Sequence, residues 1–183
     1  LGEAGFLCAD IPEKYGGFDV DFRFSMVVLE EFCRKGCIGV GGGMAVHSDI
    51  VAHYILNAGS EEQKQNYLPK MVSGESVGAI AMTEPGAGSD AASITTKAAN
   101  RGDHYLINGT KAFISGAGET DLLIVMARTS DAGAKGISCF AIPANSDGIS
   151  FGKKEDKLGW SNQPTRLIHF ENVWVPAANL IGT

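Results

Sequence analysis

The sequence predicts an α+β fold in two parts. An N-terminal α-helical segment spans residues 1–76, and an antiparallel β-sandwich or barrel follows over 77–183. Three observations predict it. Before Val77, apolar residues recur at helical spacing, as at Phe24, Val27, Val28 and Phe32. After Val77 they gather into about seven short runs at close spacing, with almost no helical period. Between the two lies Ala81-Met82-Thr83-Glu84-Pro85-Gly86-Ala87-Gly88-Ser89-Asp90. Pro85 fixes its own φ and pushes Glu84 out of the helical region. Gly86 and Gly88 let the backbone turn and approach a bound molecule closely. Thr83 and Ser89 add hydroxyls that donate and accept.

In the helical part, Leu1 to Leu7 reads as the tail of a helix. Pro12-Glu13-Lys14-Tyr15-Gly16-Gly17 is a loop of breakers. Asp21 caps a helix over Phe22 to Arg34, which Gly36 ends. A second helix runs from about Gly41 to Ala58, with Met44, Val51 and Ile55 on one stripe. Gly41-Gly42-Gly43 is out of place inside it, since each glycine weakens a helix by ~1 kcal/mol relative to Ala. The run marks either close approach to a ligand or a frayed start. Ser60-Glu61-Glu62-Gln63 is a capping box that opens a third helix ending near Gly74. His47 and His53 are six apart and fall on different faces. A metal pair prefers i, i+4, so both read as packing or surface residues.

In the strand-rich part, Val77 to Thr83 and Ser93 to Ala99 read as strands. Arg101-Gly102-Asp103 is a hairpin turn into His104 to Asn108. Asn108-Gly109 favours a second tight hairpin turn, into Lys111 to Ser115. The loop Gly116 to Glu119 comes next. Leu122 to Ala127, Ile137 to Ile142, Leu167 to Phe170 and Val173 to Val175 complete the set.

The totals exclude several classes of function. A chain of 183 residues is one domain or two small ones, and 44% hydrophobic content suffices for a core. A net charge of −6 argues against a nucleic-acid groove and against an anionic membrane surface. No apolar run reaches the ~20 residues of a membrane span. Of the four cysteines, Cys33 and Cys37 form C-x3-C with no matching Cys or His pair, so no metal site is expected. Scattered cysteines suit a reducing compartment. Gly86-Ala87-Gly88 lacks the third glycine and the following helix of a dinucleotide fingerprint. No G-x-S-x-G supports a hydrolase.

The stretch Met82 to Asp90 resembles the signature of acyl-CoA dehydrogenases. Further elements agree in order and spacing: Pro12-x-x-Tyr15-Gly16-Gly17, Gly59-Ser60-Glu61-Glu62-Gln63-Lys64, and Asn108-Gly109-x-Lys111-x-Phe113-Ile114-Ser115. Lys157-Leu158-Gly159-Trp160 and Phe170-Glu171-Asn172-Val173-x-Val175-Pro176 complete them. The resemblance covers essentially the whole chain. It implies a truncated N-terminal helical domain and a middle β domain, with the C-terminal helical bundle missing.

The resemblance also implies FAD as cofactor, an acyl-CoA thioester as substrate and α,β-dehydrogenation to a 2-enoyl-CoA as reaction. Ile80, Met82, Thr83, Gly88 and Ser89 would line the flavin, with Thr83 and main-chain N–H groups on its pyrimidine edge. Phe113, Ile114 and Ser115 stand where the family has Trp-Ile-Thr. The indole N–H is lost and the hydroxyl expected near flavin N5 is kept. Ser89 would also touch the substrate, and Gly42, Gly43 and Val46 match the helix lining the acyl pocket. Small residues there imply room for a long or bulky chain, whereas Lys111 to Gly118 and Ser161 to Arg166 resemble short branched-chain, isobutyryl-type members. The family's catalytic glutamate is expected beyond Thr183, so the chain alone is expected to be inactive. An electron-transfer flavoprotein is the implied acceptor and a homotetramer or dimer the implied assembly. The implied location is the bacterial cytoplasm or mitochondrial matrix. The alternatives are an acyl-CoA oxidase or a non-dehydrogenase flavin-binding member of the superfamily.

Overall fold

The structure, a computed structural model, describes residues 1–182; Thr183 lies outside the described residues. Two compact units emerge. The first comprises Leu1–Gly78 with Asp156–Gln163, and the second Ala79–Glu155 with the chain from Pro164 onward.

In the first unit, Asp21 Oδ1 accepts the Arg23 N–H at 2.9 Å and starts α1 (Arg23–Arg34). Helix α2 (Ile38–Ala45) runs through a π-helical turn (Val46–Val51) into α3 (Ala52–Ala58). The Gly41-Gly42-Gly43 run therefore lies inside a helix, and the frayed-start explanation fails. The capping box of α4 (Glu61–Ser73) forms as expected, with Ser60 Oγ and Gln63 Oε1 each accepting the other residue's N–H. Leu1 to Leu7 departs from expectation. It forms turns, with the Leu1 carbonyl accepting from Ala4 and Phe6. Gly5 takes a left-handed conformation there that no helix continues through.

Ile11, Val51, Ile55, Leu68 and Met71 form the helical core. The buried Tyr15 donates its hydroxyl to Glu61 at 2.9 Å and ties the breaker loop to α4. His47 is buried in the π-helical turn, a packing residue as expected. Its Nδ1 accepts the Gly78 N–H and its Nε2 donates to the Met71 carbonyl, both at 3.0 Å. Those partners select the neutral ring protonated on Nε2. Burial lowers its pKa against a smaller upward pull from the Met71 carbonyl.

The second unit is a mostly antiparallel eight-stranded sheet. Its strands are β1 (Gly78–Ala81), β2 (Lys97–Asn100), β3 (His104–Ser115), β4 (Leu122–Arg128), β5 (Ile137–Pro143), β6 (Ile149–Phe151), β7 (Thr165–Pro176) and β8 (Leu180–Ile181). The order is β6-β7-β3-β2-β4-β5-β8, with β1 on β4. The β2–β4 contact is parallel. Ile107, Leu123, Val125, Phe140, Ile168 and Val173 lead the core, and Tyr105 packs edge-on to Phe140.

Three strand expectations change. Asn108-Gly109 makes no hairpin turn; β3 runs straight through it alongside β7. The local turn signal loses to a long-range match. Asn108 Oδ1 accepts the Asn172 N–H at 2.9 Å, and its Nδ2 donates to Asn172 Oδ1 at 3.2 Å. Gly109 serves close approach: a Cβ there would overlap Thr96, and its φ of +153° is one L side chains rarely adopt. The two runs expected on either side of Glu171 form a single strand, β7, with a bulge where Asn172 takes φ +50°. Finally, the strand expected from Ser93 starts only at Lys97. The Asp90 carbonyl captures both the Ser93 N–H and hydroxyl and winds Ala91–Ser93 into a 3-10 turn.

Candidate functional site

The site begins with the turn after β1. Glu84 and Ala87 exchange backbone hydrogen bonds of 2.9 and 3.1 Å, closing Glu84-Pro85-Gly86-Ala87 into a tight turn. The turn points the Glu84 carboxylate inward. Its Oε2 accepts the Thr95 N–H at 2.7 Å and the Thr95 hydroxyl at 2.8 Å. Its Oε1 accepts the Thr96 N–H at 2.9 Å and the Lys111 ammonium at 2.8 Å. Lys111 is fully buried and also donates to the Met82 carbonyl at 3.0 Å. Burial pushes the Glu84 carboxyl upward, but Lys111, Thr96 and Thr95 together outweigh it and hold the pKa at about 2. Burial lowers the Lys111 pKa, and Glu84 opposes that. Glu84 is therefore ionised at neutral pH.

The pair joins two stretches far apart in sequence. A backbone bond confirms the junction, the Ala112 N–H donating to the Thr83 carbonyl at 2.8 Å. Just beyond, β3 bulges: Lys111 faces Ile168 and Ile114 faces Arg166, so Ala112 and Phe113 together oppose Leu167. Phe113 sits in this bulge at φ +56°, with 67% of its surface exposed. A left-handed aromatic residue is strained, by about 1–3 kcal/mol, and such strain collects at ligand sites. Here the pair and the Thr83–Ala112 bond hold it.

The predicted cofactor residues divide accordingly. Thr83 and Phe113 lie on the joined stretches. Ile80 and Met82 are half-buried, and Gly88 and Ser89 are exposed on the outgoing loop. Ile114 turns its side chain into the core, leaving only its main chain for a ligand. Ser115 is half-buried at the end of β3, paired with Thr165. Among the described residues, no protein acceptor takes the Thr83 N–H.

The predicted acyl-lining residues lie in the helical unit, and their space has an occupant. The Trp160 ring stands 3.0 Å from where a Gly42 Cβ would be, and the Gln163 side chain fills the place of a Gly43 Cβ. Lys157 Nζ braces the loop by donating to the Gln163 carbonyl. Close approach of this loop therefore accounts for the two glycines. Val46, half-buried, opens the π-helical turn.

Sequence reasoning missed the Glu84–Lys111 pair. One signal for it exists: Lys111 falls in step with Ile107 on the inward parity of β3, and a lysine there demands a buried partner. Nothing in the spacing says which carboxylate that is. The described residues hold no group of three His, Cys, Asp or Glu side chains able to bind a metal. No described helix is long and apolar enough to cross a membrane.

The β unit with helices before it in the chain has counterparts among known proteins. The model of the acyl-CoA dehydrogenase middle domain matches residues 79–173, and that of the acyl-CoA dehydrogenase N-terminal domain matches residues 1–75. The chain belongs to the acyl-CoA dehydrogenase family. It is 43% identical over 181 residues to the mitochondrial isobutyryl-CoA dehydrogenase of Dictyostelium discoideum, covering 98% of this chain and 43% of that protein. The acyl-CoA dehydrogenase structure from Geobacillus kaustophilus superimposes with a TM-score of 0.94 at 44% identity, over 100% of this chain and 48% of that one. An acyl-CoA dehydrogenase from Bacillus anthracis, solved in complex with FAD, matches with a TM-score of 0.91 at 38% identity, over 100% and 31%. The chain thus spans less than half the length of these relatives.

Proposed function

We infer that this chain is the flavin-binding and part of the substrate-binding portion of an FAD-dependent acyl-CoA dehydrogenase, forming a 2-enoyl-CoA from an acyl-CoA. The observation that carries the reading is Phe113, an exposed aromatic ring held in a left-handed bulge beside the Thr83 loop. The residues fit a flavin. Phe113 offers a face for ring packing, and the Thr83 N–H is an uncommitted donor. Gly86 and Gly88 leave open space beside the loop, since nothing lies within 4 Å of where their Cβ atoms would be.

Thr83 would donate to the pyrimidine edge and Ser115 to the N5 side, with Ile80, Met82, Gly88 and Ser89 alongside. Ser89 would also contact the acyl-CoA, as would the helix bearing Gly42, Gly43 and Val46. The chemistry FAD supplies when bound is hydride acceptance from the acyl β-carbon, coupled to loss of the α-proton to a base. Fixed donors at the two ring edges favour the charge that enters. Glu30, Glu31 and Glu84 do not suit the role of base. Glu84 is buried and saturated by four hydrogen bonds, and Glu30 and Glu31 pair with Arg34 on an exposed helix. On this reading the family's C-terminal domain would supply the base, and an electron-transfer flavoprotein would be the electron acceptor.

The test combines FAD, isobutyryl-CoA or octanoyl-CoA, and a dye acceptor. The chain alone should reduce no dye, and the protein extended by the family's C-terminal domain should do so while showing a bound-flavin spectrum. Sustained turnover by the chain alone, or an extended protein that holds no FAD, overturns the reading.

A further inference from the structure

The geometry points to Lys111 as a positioning residue that strengthens the Thr83 N–H as a donor to the flavin, through the Met82–Thr83 peptide bond. The inference rests on the proposed flavin site and adds a residue that lies underneath it.

Lys111 Nζ donates to the Met82 carbonyl at 3.0 Å from a fully buried position. Among the described residues no peptide bond is cis. In a trans peptide the C=O and the N–H point in opposite directions. The Met82 carbonyl faces the buried ammonium, so the Thr83 N–H on the same peptide points away from it. That N–H meets no protein acceptor among the described residues. A cation on the carbonyl draws electron density through the conjugated unit and leaves the N–H more positive. Hydrogen-bonded chains polarise one another in this way, by an estimated 10–30% per bond. The next peptide is pinned as well, because the Thr83 carbonyl accepts from Ala112. The donor is thereby both fixed in direction and polarised.

Glu84 sets the strength of the effect. Its carboxylate lies 2.8 Å from the same ammonium and competes for its field. The two partners consequently act on the Thr83 donor with opposite signs. A reduced flavin carries more negative charge at its pyrimidine edge than an oxidised one. Lys111 therefore favours the reduced form, and Glu84 moderates that preference.

The experiment measures the two-electron midpoint potential of FAD bound to the intact protein, by equilibration with a reference dye. Lys111→Met should lower the ratio of reduced to oxidised flavin affinity about tenfold, a fall of about 30 mV for a two-electron couple. Lys111→Arg should restore most of it, and Glu84→Gln should move the potential upward. A scaffold role alone would loosen the flavin in both variants without opposite shifts. If neither single variant folds, the doubly neutral Lys111→Met/Glu84→Gln protein should still show a lower potential than the parent. An unchanged potential in flavin-retaining Lys111→Met, or shifts of the same sign in Lys111→Met and Glu84→Gln, overturns the inference and leaves the flavin site standing. A parent protein that binds no FAD overturns both.

Discussion

The helical unit and the β unit each contain a lysine–glutamate pair, and the two have opposite physical standing. Lys14 and Glu61 meet at 3.6 Å with 60% and 62% of their side chains exposed. Lys111 and Glu84 meet at 2.8 Å with 0% and 3% exposed. Water screens the first pair, so either partner can leave without stranding the other. The second pair lies where an unmatched charge has no solvent. It stabilises less by attraction than by the penalty of breaking it. The surface pair leaves the helical unit's core unchanged, whereas the buried pair is a condition of the β unit's shape.

The largest effect expected from this contrast is on Lys111→Ala. It leaves the Glu84 carboxylate buried without its cation and should destabilise the protein by about 3–5 kcal/mol. Urea unfolding followed by near-UV circular dichroism measures it. The double variant Lys111→Met/Glu84→Gln should recover most of the loss, because no charge then remains buried. A loss below ~1 kcal/mol in Lys111→Ala would place the pair in the same class as Lys14–Glu61 and break the comparison.

A glycine from each unit sharpens the contrast. A Cβ on Gly109 overlaps the backbone and side chain of Thr96, a fully buried residue whose own N–H is committed to Glu84. Gly109→Ala should therefore cost about 2 kcal/mol or more. A Cβ on Gly42 meets the half-exposed Trp160 ring at 3.0 Å, and that ring can shift outward. Gly42→Ala also gains ~1 kcal/mol of helix propensity, so its net effect should be under ~1 kcal/mol in either direction. Differential scanning calorimetry of both variants decides the ranking.

Gly109 also shows how far the sequence could be read. Where one short-range rule acted alone, the reading was correct. The Ser60 box, the Asp21 cap and the Arg101-Gly102-Asp103 hairpin are all made by residues within a few positions of each other. It failed at Ser93 because a competing local bond to the Asp90 carbonyl won, and at Asn108-Gly109 because a distant residue decided. Asn108-Gly109 is a turn in isolation, and only Asn172, 64 residues on, makes it a strand. The candidate site follows the same rule. The motif stretches were legible as stretches, but what couples them is a buried charge pair across 27 residues that spacing cannot assign. Several motifs prove to be matched halves of one another: Tyr15 with Glu61, Glu84 with Lys111, Asn108 with Asn172.

Acid should separate the two units. The His47 pKa is lowered on folding, chiefly by burial, so the ring stays neutral. Its contribution is complete above the unfolded value of 6.5 and is lost as pH falls below it, when the unfolded chain binds the proton first. Glu84 is lowered from 4.5 to about 2, and its contribution is complete above 4.5 and lost as pH falls toward 2. The helical unit should therefore soften first. The protection factor of the Gly78 amide, whose N–H donates to His47, should fall below pH 6.5, while the Thr96 amide bonded to Glu84 stays protected until below pH 4.5. Simultaneous loss of both protections would show that the units share one acid transition and would remove this distinction.

The smallest expected effect is Lys14→Met. Besides Glu61, the Lys14 ammonium has the Tyr15 ring, 4.5 Å from the ring centroid. The Lys14 side chain is 60% exposed, and the Tyr15 hydroxyl supplies Glu61 with a closer partner, at 2.9 Å, than the ammonium at 3.6 Å. Removing the charge leaves Glu61 hydrated and bonded, so the urea midpoint should not move measurably. The midpoint should also respond to added salt as the parent's does, since a screened pair has little left to lose. A clear drop in midpoint that salt abolishes would mean that exposure alone does not separate the two pairs. Tyr15, buried between the loop and α4, would then be the element that lends Lys14–Glu61 its strength.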